Sequence, residues 1–83
     1  MQFTVYVLES FTTHRLYIGH TNNFQRRLRE HVDNRVASTK NRGPWCVLKT
    51  IYAETRTEAV NLELKLKRMK NPAKVRLYLT KHY

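Results

Sequence analysis

The stretch RLYIGHTNNFQRRLREH, residues 15–31, passes from an alternating pattern to a helical one. Leu16 and Ile18 alternate with Tyr17, and this period of two predicts a β-strand that ends near Gly19. A strongly basic segment follows at once. The stretch therefore brings a phenol, guanidinium groups and an imidazole close together, either as solvated surface or as a site that handles phosphate.

The second half of this stretch predicts a helix. Asn22 and Gln25 have the spacing of a capping pair, so the helix should begin at Asn22 or Asn23. Arg27 and His31 lie four residues apart and share one row of the helix surface. That row borders the predicted apolar stripe, which consists of Phe24, Leu28 and Val32.

Residues 3–8 also alternate and are rich in β-branched and aromatic side chains, so they predict a strand before a polar turn at 9–14. The two strands are predicted to form a hairpin. Because successive side chains point to opposite faces, one face should enter the core. That face consists of Val5, Val7, Leu16 and Ile18. Tyr6 and Tyr17 must then stand together on the other face.

The rest of the chain predicts one more strand, at 45–52, and two more helices. Thr55 and Glu58 form a capping box that opens the second helix. Asn71-Pro72 opens the third, with asparagine as the cap and proline at the first helical position. The predicted inner faces are Ala59, Leu62, Leu66 and Met69 in the second helix, and Val75, Tyr78 and Leu79 in the third.

Composition limits the class of protein. The 83 residues fit one domain, and 41% hydrophobic residues argue against disorder. The formal charge of +10 attracts polyanions, of which nucleic acid is the commonest in a cytoplasm. The single cysteine, Cys46, allows neither an internal disulfide nor a zinc cluster of cysteines. With no apolar run of membrane-spanning length and no secretory signal, we expect a cytoplasmic protein.

Residues 33–44 are polar and basic and are predicted to form a loop. They carry three of the side chains that we expect to contact a nucleic-acid backbone, Arg35, Lys40 and Arg42. Arg26, on the solvent side of the first predicted helix, is the fourth.

Glu63 borders the buried stripe of the second predicted helix, four residues after Ala59 and three before Leu66. A carboxylate beside a core is costly unless a charged group meets it. Lys67, one turn further along, could supply an ordinary surface ion pair. Alternatively, Glu63 faces a cleft and binds a divalent cation, since Mg²⁺ takes only one or two protein oxygens and keeps several waters. The spacing leaves both interpretations open.

The other candidates have ordinary structural explanations as well. Tyrosines in sheets are usually half-buried packing residues with a hydrated hydroxyl. Arg27 could cover the apolar row with its methylene stem, and a single His31 is more often a surface or capping residue than a catalyst. The combination is more specific than any one member.

Five candidates stand in one order along the chain: Tyr6, then Tyr17 in the YIG motif of residues 17–19, then Arg27, His31 and Glu63. This order and spacing resemble the GIY-YIG nuclease superfamily from Thr4 to about Tyr78. The chain looks most like the small stand-alone members, which are similar to the nuclease domain of the excision-repair cutting subunit. Residues 4–6 read TVY, so only the tyrosine of the first family motif is present.

The resemblance implies an α/β (α+β) fold over residues 1–83, with a small three-stranded, largely antiparallel sheet flanked by helices. It also implies phosphodiester hydrolysis in DNA with one divalent ion, Mg²⁺ or Mn²⁺. Glu63 would hold the ion, and Arg27 would contact the scissile phosphate. Tyr6 and Tyr17 would orient or deprotonate the attacking water, and His31 would assist by hydrogen bonding or proton relay. We therefore expect both phenols, the guanidinium and the carboxylate around one concave surface.

Two functions of other classes stay open. One is a non-catalytic, basic nucleic-acid-binding module of the same fold, and the other is a basic protein that meets an acidic protein partner. For the nuclease, we expect selection of DNA by structure, such as branches or flaps, and a role in repair or recombination. RNA is not excluded as a substrate. When bound to DNA, the protein would be nucleoid-associated.

Overall fold

The computed structural model describes residues 2–33 and 43–83. The strands are β1 (Phe3–Ser10), β2 (Leu16–Thr21) and β3 (Trp45–Ala53), and the helices are α1 (Phe24–Val32), α2 (Arg56–Arg68) and α3 (Pro72–His82). The sheet order is β2-β1-β3, and both strand pairs are antiparallel. The predicted α+β fold with a three-stranded antiparallel sheet is confirmed.

Each helix begins at a side-chain cap. Oδ1 of Asn23 accepts a hydrogen bond from the backbone N–H of Arg26, which settles the choice between Asn22 and Asn23. Thr55 accepts from the N–H of Glu58, as the capping box predicts. Asn71 caps α3 in the predicted way. These caps satisfy backbone donors that a helix start leaves without partners.

The core lies between one face of the sheet and the helices α2 and α3. Its buried members are Phe3, Val5, Val7, Ile18, Ile51, Ala53, Ala59, Leu66, Val75 and Leu79. The predicted alternation is confirmed, because Val5 and Val7 lie in this core and Leu16 packs against it. Burying apolar area of this kind is the main stabilising contribution.

α1 lies over the opposite face of the sheet, where the ring of Phe24 is 5.6 Å from the ring of Tyr6. The predicted stripe is wrong at Val32, which is 61% exposed. His31 is the buried residue of α1 instead. The reason is that Phe24 and His31 stand seven residues apart, about two helical turns, and together they meet the aromatic face of the sheet.

β2 forms one edge of the sheet, with α1 over one face and α2 over the other. α1 and α2 therefore both border this edge strand, one on each face of the sheet. Of the helices in the described ranges, none is long and apolar enough to cross a membrane.

Candidate active site

Tyr6 lies at the centre of an aromatic cluster and is 1% exposed. Its hydroxyl is 3.2 Å from Nε2 of His31, and its ring stacks on that of Tyr17 with the ring centres 6.3 Å apart. Burial raises the pKa of Tyr6 above 10, although a hydrogen bond from Arg27 works in the opposite direction. Tyr6 is therefore held in its neutral form and suits hydrogen bonding better than proton abstraction.

The glycine of the YIG motif is needed because the ring of Tyr6 lies directly over it. Tyr6 and Gly19 are opposite each other in the β1–β2 ladder. A Cβ atom at position 19 would lie 2.6 Å from the hydroxyl oxygen of Tyr6 and 2.7 Å from its Cζ. Only a residue without a side chain permits this close approach of ring to backbone.

His31 is buried against both tyrosines. Its ring meets that of Tyr17 edge-on, with the ring centres 4.8 Å apart. Burial lowers the pKa of His31 below 6.5, and the nearby Arg27 charge lowers it further. A neutral imidazole can accept the proton of the Tyr6 hydroxyl at Nε2. The surface position that the residue type suggested is wrong for this histidine.

Arg27 places its guanidinium beside both phenols. Hydrogen bonding to Tyr6 raises the pKa of Arg27, and hydrogen bonds to Glu30 and Tyr17 act in the same direction. Nη1 of Arg27 donates to Oε1 of Glu30 over 3.2 Å. The side chain is half-buried, so a permanent positive charge is held in a defined position beside the phenols.

Glu63 of α2 has a partner at each carboxylate oxygen. Nδ1 of His20 donates to Oε1 over 2.7 Å, and Nζ of Lys67 donates to Oε2 over 2.8 Å. Burial acts to raise the pKa of Glu63, but the hydrogen bonds from Lys67 and His20 outweigh it and lower the pKa. The carboxylate is therefore ionised. The Lys67 pair that the spacing allowed is present, together with a second hydrogen-bond partner, His20, that the sequence did not suggest.

The two halves of the site lie on different sides of β2. His20 pairs with Val5 of the core face, whereas Tyr17 projects from the opposite face by alternation. Glu63 reaches the strand from the α2 side. Its charge still makes a small contribution to raising the pKa of Tyr6, so Glu63 lies within electrostatic range of that phenol. Glu63 and Tyr17 thus lie on opposite faces of β2, so the expected groups are divided between the two sides of this edge strand and do not share one face of the sheet.

The edge of β2 offers a divalent ion few protein ligands. In the described ranges, no group of three or more His, Cys, Asp and Glu side chains could hold a metal. Mg²⁺ needs only one or two carboxylates when substrate phosphate and water complete its shell. Glu63 meets that requirement, provided that His20 or Lys67 gives up an oxygen.

The predicted nucleic-acid-binding residues are placed only in part. Arg26 is exposed on α1 and lies outside the aromatic cluster. Arg35, Lys40 and Arg42 lie outside the described residues.

A three-stranded sheet whose edge gathers two phenols, an imidazole, a guanidinium and a carboxylate defines a nuclease-type α+β domain. The model of the GIY-YIG catalytic domain matches residues 2–77, and the chain belongs to this family. Membership implies nuclease-type activity, a nucleic-acid substrate in general and, as a rule for the family, dependence on a divalent metal.

One solved structure that the chain resembles is the solution NMR structure of the UPF0213 protein BH0048 from Bacillus halodurans. The two chains are 28% identical, with a TM-score of 0.61, over 98% of this chain and 86% of that one. The comparison with curated proteins finds no match.

Proposed function

We propose that this protein is a metal-dependent DNA endonuclease that hydrolyses phosphodiester bonds. The observation that carries the proposal is the cluster of Tyr6, Tyr17, His31 and Arg27, which lies within electrostatic range of the ionised Glu63 across β2. A guanidinium matched to phosphate oxygens, near a carboxylate suited to a hard cation, is the donor set that phosphoryl chemistry requires.

Glu63 would hold the ion, Mg²⁺ or Mn²⁺, with Oε2 once Lys67 gives up that oxygen, while His20 stays on Oε1. When bound, the ion supplies charge neutralisation at the scissile phosphate and stabilisation of the leaving oxygen. Arg27 binds the same phosphate and stabilises the charge that develops in the transition state, because its fork is already positioned by Tyr6 and Glu30. His20 keeps the carboxylate in one orientation.

The two phenols take different roles. Burial raises the pKa of Tyr6, so its hydroxyl hydrogen-bonds and does not act as the base. Tyr17 is only partly buried and borders the open edge of the sheet, so its hydroxyl orients the attacking water, and its phenolate form would accept the proton of that water. Neutral His31 accepts the Tyr6 hydrogen bond and keeps both rings in place.

The net charge of +10 supports binding to the DNA backbone and selection by structure more than by base sequence. We assign residues 1–83 to one nuclease domain. We propose a cytoplasmic, nucleoid-associated protein that acts in repair or recombination on branched or flap DNA.

Plasmid nicking tests the proposal with two adjacent arginines. Supercoiled DNA is incubated with the pure protein and Mg²⁺ or Mn²⁺. Arg27→Ala should abolish nicking, whereas Arg26→Ala removes the same charge from an exposed neighbour and should only weaken binding. Equal nicking by the two variants would overturn the assignment of Arg27.

A second candidate function is a non-catalytic nucleic-acid-binding module. It is favoured by one observation, namely that His20 and Lys67 already occupy both oxygens of Glu63. This module would bind DNA equally well in EDTA and in Mg²⁺ and would never nick it. In both cases log K against log salt should slope near −4 to −5, if about four to six phosphates are neutralised. A flat response would favour an acidic protein partner instead.

A further inference from the structure

A pocket of about 490 Å³ opens along the edge of β2, between the start of that strand and the junction of α2 with α3. Its apolar side chains are Leu16, Ile18, Leu66, Pro72 and Val75. The volume falls within the range of roughly 300–1,000 Å³ found for small-molecule sites. The pocket is therefore large enough for a ligand of the size of one nucleoside.

The rim of this pocket is cationic. Arg15, Lys67 and Lys70 line it, and no Asp or Glu side chain does so in the described part of the chain. An apolar floor under a positive rim complements a nucleotide, whose base and sugar are placed on apolar surface while its phosphate meets the cations.

The pocket adjoins the candidate active site on the α2 side of β2. Lys67 lines the pocket and donates to Glu63, one helical turn away. A DNA strand with a phosphodiester between Arg27 and Glu63 therefore brings an adjoining nucleotide to the pocket.

We propose that the pocket binds the base and sugar of an unpaired deoxynucleotide next to the cleaved phosphodiester, an inference that rests on the proposed nuclease function. A base inside a duplex must first leave its stack and its pairing partner, and this costs free energy. An unpaired base pays no such penalty. The pocket thus selects single-stranded flaps and ends over continuous duplex.

Methyl NMR in EDTA tests the pocket separately from catalysis. A short oligothymidylate should shift the methyl signals of Leu16, Ile18 and Val75. The signals of Leu77, an exposed residue of α3 outside the pocket, should stay in place. A blunt hairpin duplex of the same length should leave the pocket methyls unchanged. Unshifted methyls with oligothymidylate, or equal shifts with the duplex, would overturn the proposal.

Lys70→Gly is a variant whose effect on binding does not depend on lost stability. Lys70 has a φ angle of 55°, a left-handed conformation that glycine adopts without strain. The melting temperature of the Lys70→Gly variant should therefore stay the same or rise. Affinity for oligothymidylate should fall several-fold, and the slope of log K against log salt should shrink by about 0.7, the value for one single-strand phosphate.

Lys74→Ala is the matched control, because it removes one charge from the exposed side of α3 outside the pocket lining. An equal loss of affinity in Lys70→Gly and Lys74→Ala would contradict the pocket. The two proposals fail in different ways. If the protein shows the methyl shifts but never nicks DNA, the nuclease proposal is refuted. If it nicks DNA without the methyl shifts, the pocket proposal is refuted.

Discussion

Nδ1 of His20 lies 2.7 Å from Oε1 of Glu63 and joins the end of β2 to the middle of α2. The two side chains are only 23% and 15% exposed, so the hydrogen bond is shielded from water. A group that hydrogen-bonds a metal-binding carboxylate fixes its orientation and tunes its affinity. His20 therefore acts on the candidate metal site through Glu63.

Removing the His20 imidazole should weaken metal binding. His20→Ala leaves Oε1 without its donor, and we expect Mn²⁺ affinity and nicking to fall by about 10–100-fold. His20→Asn places an N–H donor near the position of Nδ1 and should recover much of both. Electron paramagnetic resonance of free Mn²⁺ gives the affinity without DNA. Unchanged or tighter Mn²⁺ binding in His20→Ala would show that the imidazole only competes with the ion.

Glu63→Gln should separate cleavage from binding. The amide keeps the size of the side chain but removes the charge, so nicking should fall by orders of magnitude while DNA affinity holds or rises. Because two charged hydrogen bonds weaken, urea unfolding should show a loss of about 1–2 kcal/mol. Glu58→Gln, an exposed carboxylate of the same helix, is the control and should nick normally. Normal Mg²⁺-dependent nicking by Glu63→Gln would refute the metal assignment.

Gly19→Ala should displace the ring of Tyr6. The new methyl group would lie 2.6 Å from the hydroxyl oxygen, and this overpacking should destabilise the fold by roughly 1–3 kcal/mol in urea. Tyr6→Phe in the same chain removes that oxygen and should recover part of the loss. A strictly additive double mutant would mean that the two groups do not collide.

His31 should titrate below its ordinary pKa of 6.5, because burial and then the Arg27 charge disfavour its protonated form, while Glu30 acts in the opposite direction. The folded state then binds fewer protons than the unfolded one near that pH. Stability is consequently full above about 6.5 and declines as the pH falls through the folded pKa. NMR of the His31 ring carbons gives the midpoint directly. A midpoint at or above 6.5 would contradict this burial argument.

Local patterns predicted most of the secondary structure. Alternation placed Tyr6 and Tyr17 on one face, and the capping residues Thr55 and Asn71 marked their helices. These sequence patterns gave wrong predictions where the burial of a side chain depends on a residue far away along the chain. Val32 has the spacing of a buried residue but is exposed. His31 is buried because its ring packs against the rings of Tyr6 and Tyr17.

Spacings of two to four residues are enough to predict the strands, the helix starts and the row that Arg27 shares with His31. The same kind of spacing identifies Glu63 as a carboxylate at the border of the core. The contact between His20 and Glu63 depends on how the chain packs, since 43 residues separate them and no local period relates a strand end to the middle of a later helix. Packing of α2 against the face of β2 opposite to Tyr17 made that contact, and it placed the candidate site around the edge of the strand.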